Sequence, residues 1–293
     1  MKDKKSHQTI GILSLLVVTL FWGFGFVGLV YVERVPTFWV QAIRFTIASV
    51  ILALVFPKHL KHLDKRYLKV GLEAGFFMFL AYVGATVGIR YTMASRAAFF
   101  SCLSALCVPI IMLICFKLKP TKKNILCLAI CVVGVYMISM GGTGEHGFRF
   151  GDVICLGTSF VTACEMVVVD RNIEDMDPIA LSIIELGVIS VFSFICIPIF
   201  GETLPTDWTV REIGAMLFMG ICCSALAFVF KIYGQKQLPA NRASLIMTME
   251  PVIGGIGSWW LLSERMGVMG WTGAIIVVIA IILSEYNATD TKD

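Results

Sequence analysis

Four ionisable residues lie deep inside otherwise apolar stretches of the chain: Arg44, Glu165, Glu185 and Glu250. An ionisable side chain surrounded by lipid costs at least about 2.5–3.5 kcal/mol, and it normally marks a pathway or a partner. A buried carboxylate can hold a cation or a proton, and Arg44 can receive the carboxylate of a solute. We predict that all four residues bind substrate, and that Glu250 and Glu165 also take part in proton transfer.

The carboxylate of Glu250 directly precedes a proline in the segment "IMTMEPVIGGIG". Pro251 removes a backbone donor, so we predict a helix break at Pro251 and Gly254, where glycines also keep the following turns slim. A carboxylate beside such a break can face a water-filled cavity and hold a cation or a proton. The alternative is a fixed ion pair between Glu250 and Arg44, and a pair that is broken and remade during transport satisfies both interpretations.

Three aromatic residues form a second candidate group, namely Trp22, Tyr82 and Phe228. Aromatic faces attract ammonium groups, by about 2 kcal/mol when the pair is desolvated. Ordinary packing also explains each of these residues when it is taken singly. We include all three as candidate substrate-binding residues and leave both roles open.

The other charged residues of the apolar stretches lie closer to their ends. Glu73 and Lys231 are near enough to an end for their side chains to reach water, which is the snorkelling expected of long polar side chains. Arg90, Arg96, Glu264 and Arg265 are predicted at the membrane interface. The ten cysteines all fall in apolar stretches and are interpreted as small buried residues, so we predict no metal site and no cofactor.

The elements that position these residues are predicted to be membrane-spanning helices. The chain is 58% hydrophobic and 15% charged, whereas about 25% of the residues of a soluble domain are charged. A membrane crossing needs about 20 apolar helical residues. Ten stretches meet this requirement: 9–30, 36–56, 68–90, 95–116, 122–140, 150–170, 177–200, 211–234, 239–262 and 267–286.

Lysine and arginine are distributed unevenly over the connections between these stretches. Sixteen lie on the side that holds the N-terminus and six on the opposite side. Because cytoplasmic connections carry the excess of positive residues, both termini are predicted to be cytoplasmic.

An internal repeat divides the chain into two halves. A shift of 146 residues aligns "LAYVGATVGIRYTMASRAA" (80–98) with "LAFVFKIYGQKQLPANRAS" (226–244), with seven of nineteen positions identical. Residues 1–145 and 146–293 therefore each hold five predicted helices, and an odd number places the second half upside down relative to the first. Inverted repeats of this kind are typical of secondary transporters, whose sites lie near the midplane between the halves.

Several motifs resemble those of a known family. They are "FWGFGF" in the first predicted helix, Arg44 in the second, the two "A-x-R-A" segments, "MEP" in the ninth helix and "LLSER" after it. Together with the five-plus-five repeat, they resemble the drug/metabolite transporter superfamily, in its EamA-type ten-helix branch. The resemblance implies an all-α membrane protein with ten transmembrane helices in two inverted five-helix repeats. It says little about the substrate, and the first half lacks a counterpart of Glu264.

The sequence thus predicts a secondary active transporter that works by alternating access. The expected solute is a small polar organic metabolite, amine-bearing, cationic or an amino acid, and its movement is expected to be coupled to protons. A multidrug or toxic-compound exporter is the alternative, and a passive channel or lipid scramblase is a more remote one. No motif of a membrane enzyme or an ATP-driven pump is present. We expect a monomer or homodimer in a bacterial plasma membrane, with no nucleic-acid partner.

Overall fold

The structure, a computed structural model, describes residues 2–101, 103–117, 122–140, 150–263 and 267–286. Within these ranges the chain is built from α-helices and has no strand. Two short 3₁₀ turns, Pro57–His62 and Ile173–Asp175, follow α2 and α7, and a π-helical segment, Ile221–Leu226, joins α9 to α10. The α-helices are α1 (Lys2–Tyr31), α2 (Thr37–Val55), α3 (Lys65–Ile89), α4 (Ala94–Ser101), α5 (Ser104–Phe116), α6 (Lys122–Met140), α7 (Phe150–Asn172), α8 (Pro178–Phe200), α9 (Val210–Gly220), α10 (Ala227–Gln237), α11 (Ala240–Met247), α12 (Glu250–Leu261) and α13 (Val268–Tyr286).

Several helices have the length and the surface of membrane-spanning segments. Large apolar side chains stay exposed on the folded chain, for example Leu54 at 75% and Ile199 at 69%. Extended apolar surface of this kind is expected where the neighbour is lipid. Among the described residues, six helical runs are long and apolar enough to cross a membrane: His7–Tyr31, Thr37–Val55, Lys65–Ile89, Phe150–Asp175, Pro178–Phe200 and Val210–Gln237.

Two of the predicted continuous helices are interrupted. The stretch 95–116 consists of α4 and α5, and the stretch 239–262 consists of α11 and α12. Pro251 is the second residue of α12, a position where its missing N–H is not needed for the helix. The break therefore lies before Glu250. Gly254 is helical and lies at a close contact between α12 and α1. A Cβ at Gly254 would be only 3.4 Å from the carbonyl oxygen of Gly23.

The interrupted helices follow the internal repeat. A shift of 146 residues superposes Ala94–Ser101 on Ala240–Met247, and it places Ser104, the first residue of α5, on Glu250, the first residue of α12. Helices that are equivalent under this shift also pack on each other, α2 on α8 and α6 on α13.

The pair α2 and α8 is antiparallel. The backbone amide of Phe38, near the start of α2, donates to the carboxylate of Glu202, just beyond the end of α8, at 2.9 Å. Thr46 and Ser190 are joined by a hydroxyl–hydroxyl hydrogen bond of 2.6 Å near the middle. Ser49, later in α2, donates to the carbonyl of Ile183, near the start of α8, at 3.2 Å.

Glycines allow the closest contacts between helices, and α7 offers a matched test. A Cβ at Gly151 would lie 2.6–2.9 Å from backbone atoms of residues 88, 91 and 92, whereas at Gly157 it would meet nothing within 4 Å. We expect Gly151→Ala to lower the free energy of unfolding by about 1–3 kcal/mol, because backbone cannot move aside cheaply. Gly157→Ala is expected to leave it unchanged or raise it by up to about 1 kcal/mol through helix propensity. Thermal unfolding in detergent compares the two, and equal shifts would contradict the close packing of α7 on α3.

Candidate functional site

A cavity of about 700 Å³, open space at its mouth included, lies between the first three helices, α7 and the two helix breaks. It brings together four of the predicted site residues, Trp22, Arg44, Tyr82 and Glu250. Along α1 it extends from Trp22 to Leu29, toward the face of the protein at which α1 ends. Its other lining residues are Gly25, Phe26, Met78, Ala81, Ala85, Ser101, Ser104, Thr158, Thr162, Cys223 and Met247.

The guanidinium of Arg44 is held in place by aromatic rings and one hydroxyl. Its central carbon lies 4.7 Å from the ring centre of Phe45 and 4.8 Å from that of Tyr82. Its Nε donates to the hydroxyl of Ser224 at 3.0 Å. No carboxylate in the described part of the chain forms an ion pair with Arg44, although only 3% of the residue's surface is exposed. The donors at the tip of the guanidinium are therefore left for a ligand in the cavity.

Glu250 supplies the opposite charge. It is the first residue of α12, where the unpaired N–H groups of the helix end favour a negative charge. The residue is buried and lines the same cavity as Arg44, yet the two side chains do not form an ion pair. Glu250 and Arg44 therefore do not form a fixed ion pair in this conformation. The cavity offers Glu250 as a site for a cation and Arg44 as a site for an anion.

The aromatic residues form one continuous group beside the cavity. The ring of Tyr82 stacks on Phe228 at 6.1 Å and meets Trp22 edge-on at 6.3 Å. Tyr82 and Phe228 are equivalent under the 146-residue shift, so the two halves of the chain meet at this stack. Phe228 is completely buried and does not line the cavity, and it packs behind Trp22 and Tyr82.

The indole of Trp22 is fixed by a feature that the sequence does not predict. Its Nε1 donates to the backbone carbonyl of Cys223 at 2.8 Å. Cys223 and Ser224, the partner of Arg44, both belong to the π-helical segment 221–226. A π-helical turn inserts an extra residue and releases backbone groups from the regular pattern, and such turns occur frequently at functional sites.

Glu165 and Glu185 are not in the cavity but in a separate buried cluster with Lys231. The Nζ of Lys231 is 2.6 Å from a carboxylate oxygen of Glu165 and 3.7 Å from one of Glu185, and all three side chains are 0% exposed. The prediction that Lys231 snorkels to water is therefore wrong, because its side chain points into the protein. We refer to Lys231, Glu165 and Glu185 as the acidic cluster.

Among the other charged residues predicted near the ends of the apolar stretches, Arg96 differs from its prediction, whereas Glu73 and Arg90 are exposed. Arg96 is buried and lies 3.3 Å from the buried carboxylate of Asp152, which also accepts a hydrogen bond from Thr92 at 2.7 Å. Glu73 is exposed as predicted and faces Lys69 at 4.0 Å. Arg90 donates to the carbonyl of Val35 at 2.8 Å. Glu264 and Arg265 lie outside the described residues.

Comparison with known proteins identifies the family. The profile of the EamA-like transporter family matches residues 9–140 and again residues 149–286. The chain belongs to the EamA-like transporter family. An uncharacterized transporter of Archaeoglobus fulgidus is 26% identical over 274 residues, which cover 92% of this chain and 84% of the relative. The uncharacterized transporter YoaV of Bacillus subtilis is 22% identical over 287 residues, which cover 96% of this chain and 98% of YoaV.

A protein of known crystal structure has the same fold as this EamA-like transporter. Its TM-score is 0.79 over 99% of both chains, with 14% of residues identical, so the likeness concerns the fold alone. Membership of the family confirms the resemblance to the drug/metabolite transporter superfamily and makes the chain an integral membrane transporter.

Polar contacts tie the EamA-like chain together at both faces. At the face where α1 begins, His59 Nδ1 lies 2.6 Å from the carboxylate of Asp177, which also caps α8. Partial burial acts to raise the pKa of Asp177, but the hydrogen bonds from His59 and from two backbone amides together hold it below its usual value. At the opposite face Arg34 donates to Glu212 at 2.9 Å and to Asp207 at 3.2 Å, and these bonds raise the pKa of Arg34.

Proposed function

We propose that the protein is a secondary active transporter that carries a small polar organic solute through the cavity by alternating access, coupled to protons. The observation that carries this proposal is the presence of Arg44 and Glu250 in one cavity without a direct ion pair between them. A desolvated charge without a partner is costly, so both side chains are expected to be matched by water or by charges of the solute.

The proposed architecture has ten transmembrane helices, the fourth and the ninth broken, with both termini in the cytoplasm. Residues 1–145 and 146–293 form two inverted repeats. Three observations support this proposal: the family profile matches twice, the two helix breaks are equivalent under the 146-residue shift, and the equivalent helices α2 and α8 run antiparallel. The excess of lysine and arginine on the N-terminal side supports the orientation.

The charges and rings of the cavity favour amino acids among the expected solutes. A zwitterion presents a carboxylate that Arg44 can bind with two parallel hydrogen bonds and an ammonium group that Glu250 can accept. The aromatic faces of Trp22 and Tyr82 add attraction for an ammonium group. Amines and other cations interact only with Glu250 and the aromatic rings, and they are the next class to test.

The apolar share of the lining favours a second candidate, a multidrug or toxic-compound exporter. Phe26, Leu29 and Met78 line the cavity beside the charged groups. An exporter of this kind is expected to bind lipophilic cations more tightly than amino acids. A passive channel or scramblase differs from both, since its flux does not saturate and is not coupled to a proton gradient. In every case we place the protein, as a monomer or homodimer, in a bacterial plasma membrane.

A thermal-shift screen of the purified protein tests the proposed solute class. The arms are amino acids, simple amines, simple carboxylic acids and lipophilic quaternary ammonium compounds. A ligand at about 100 times its Kd stabilises the folded state by about 2.7 kcal/mol. We expect amino acids to give the largest shift in the native protein. Glu250→Gln is expected to lose the response to amines and to keep a weak response to carboxylic acids, because Arg44 is intact.

The control for this screen is Glu73→Gln, which removes an exposed carboxylate outside the cavity. It is expected to respond as the native protein does. A large shift with quaternary ammonium compounds and none with amino acids would favour the exporter. Unchanged amine binding in Glu250→Gln would remove Glu250 from the site.

A further inference from the structure

The acidic cluster holds more negative than positive groups in a place that water does not reach. Two carboxylates face one ammonium group, and all three side chains are 0% exposed. If every group were ionised, the cluster would carry one net negative charge inside the protein. Burying a net charge is unfavourable, whereas one proton shared between the carboxylates leaves the cluster neutral. The geometry therefore favours a resident proton.

The cluster is separate from the cavity but contacts Trp22, whose ring lines the cavity, and Phe228 behind it. The Nζ of Lys231 is 5.9 Å from the ring centre of Trp22 and 5.1 Å from that of Phe228. Trp22 also lines the cavity, so a single aromatic side chain stands between the cluster and the groups that would hold the solute.

The position of the cluster along the helices places it toward the face where α1 begins. Glu165 is seven residues before the end of α7, Glu185 is seven residues after the start of α8, and Lys231 is six residues before the end of α10. The cavity extends toward the opposite face. Among the described residues, the elements packed around the cluster carry other titratable or charged groups. They include Arg44, Tyr82 and Cys223 toward the cavity, Cys164 beside Glu165, and Tyr67, His59, Asp170, Asp177, Lys236 and Arg242 toward the face where α1 begins.

The repeat explains how a sealed cluster becomes accessible. Under the 146-residue shift Lys231 is equivalent to Ala85, which lines the cavity. If the halves are inverted and exchange conformations during transport, a position that lines the cavity at one face has an equivalent that lines it at the other face. Lys231 is then wetted in the state that opens toward the face where α1 begins, and Glu165 and Glu185 lie against it.

We propose that Lys231, Glu165 and Glu185 form a proton-binding site, distinct from the solute cavity, that loses and regains one proton in each transport cycle. This inference rests on the proposed proton-coupled transport and names the site of the proton. In the sealed state one carboxyl is protonated and the cluster is neutral. When water reaches the cluster, the O–H bond of that carboxyl breaks, the proton passes to water, and the cluster is left with one net negative charge. Glu165 and Glu185 hold the proton, and Lys231 is a positioning residue.

Infrared difference spectroscopy of the purified full-length protein tests the site without a solute. The C=O stretch of a buried protonated carboxyl is separated from that of a carboxylate, and it shifts on exchange into heavy water. We expect Glu165→Gln and Glu185→Gln each to lose one such carboxyl band, because a single carboxylate then faces Lys231. Lys231→Met is expected to do the reverse and gain one carboxyl band, because both carboxylates must be protonated when the ammonium group is absent.

The opposite changes in the two kinds of variant distinguish a proton site from a structural ion pair. Glu73→Gln is the matched control and is expected to keep the native spectrum. If both glutamine variants keep the carboxyl bands of the native protein, the proposal is overturned. This comparison holds even if Lys231→Met fails to fold. Counterflow of a radiolabelled mixture of the standard amino acids, measured at equal pH on both sides, reports the proposed transport separately. Absence of counterflow contradicts the transport function, and the infrared bands still decide whether the cluster holds a proton.

Discussion

Arg44→Lys is expected to weaken amino-acid binding by about 30-fold or more, although it keeps the positive charge. Removing one partner of a buried, hydrogen-bonded charge pair costs about 2–5 kcal/mol, and about 1.4 kcal/mol corresponds to tenfold in Kd. The ammonium group of lysine cannot lie flat against the rings of Phe45 and Tyr82 as the planar guanidinium can, and it cannot bind a carboxylate with two parallel bonds. Titration of purified protein with the amino acids that stabilise it, followed calorimetrically, measures the change.

Ser224→Ala is the graded control for this prediction. It removes the hydroxyl that accepts from Nε of Arg44 and leaves the guanidinium itself in the cavity. A hydrogen bond to a charged group contributes about 1.5–3 kcal/mol, so we expect a loss of at least about tenfold, smaller than that of Arg44→Lys. Thermal unfolding without ligand establishes that both variants are folded. Amino-acid affinity within about threefold of the native value in Arg44→Lys would show that the solute carboxylate is not bound there.

The sequence predicts the helices and half of the site because both depend on simple regularities. Apolar stretches of sufficient length mark the helices, and an arginine or glutamate in the middle of one must turn toward protein or water. Arg44 and Glu250, predicted from depth alone, do line one cavity. The equivalence of Tyr82 and Phe228 in the repeat also corresponds to a real contact, since their rings stack.

The acidic cluster could not be predicted because depth does not determine the direction of a side chain. Lys231 lies close to a helix end, as the residue count suggests, but it points inward. The π-helical segment 221–226 precedes it, and an extra residue in one turn rotates all later residues relative to a regular helix. The burial of Arg96 could not be predicted for a related reason. Its partner Asp152 is 56 positions further along the chain in α7, and only the tertiary packing of α4 on α7 brings the two together.

Glu185→Gln is expected to abolish proton-driven accumulation while solute exchange continues. The variant leaves Lys231 with Glu165, its nearer partner at 2.6 Å, so the cluster is neutral without a proton. A carrier with no proton to release can still alternate, but a pH gradient no longer does work on the solute. A difference of one pH unit supplies about 1.4 kcal/mol for each proton, enough for about tenfold accumulation at one proton per solute.

Proteoliposomes with a pH difference of about one unit across the membrane measure this effect. The native protein and the Glu73→Gln control are expected to accumulate a radiolabelled mixture of the standard amino acids about tenfold, and Glu185→Gln is expected to reach equal concentrations on both sides. Counterflow at equal pH should stay within about threefold of native in all three, because the cavity is unaltered. If Glu185→Gln accumulates the solute as fully as the native protein, the coupling proton binds another carboxylate, and Glu250 is the next to test. The native protein and Glu185→Gln are expected to differ because Lys231 balances the charge of one carboxylate. A second carboxylate beside it is neutralised only by a proton.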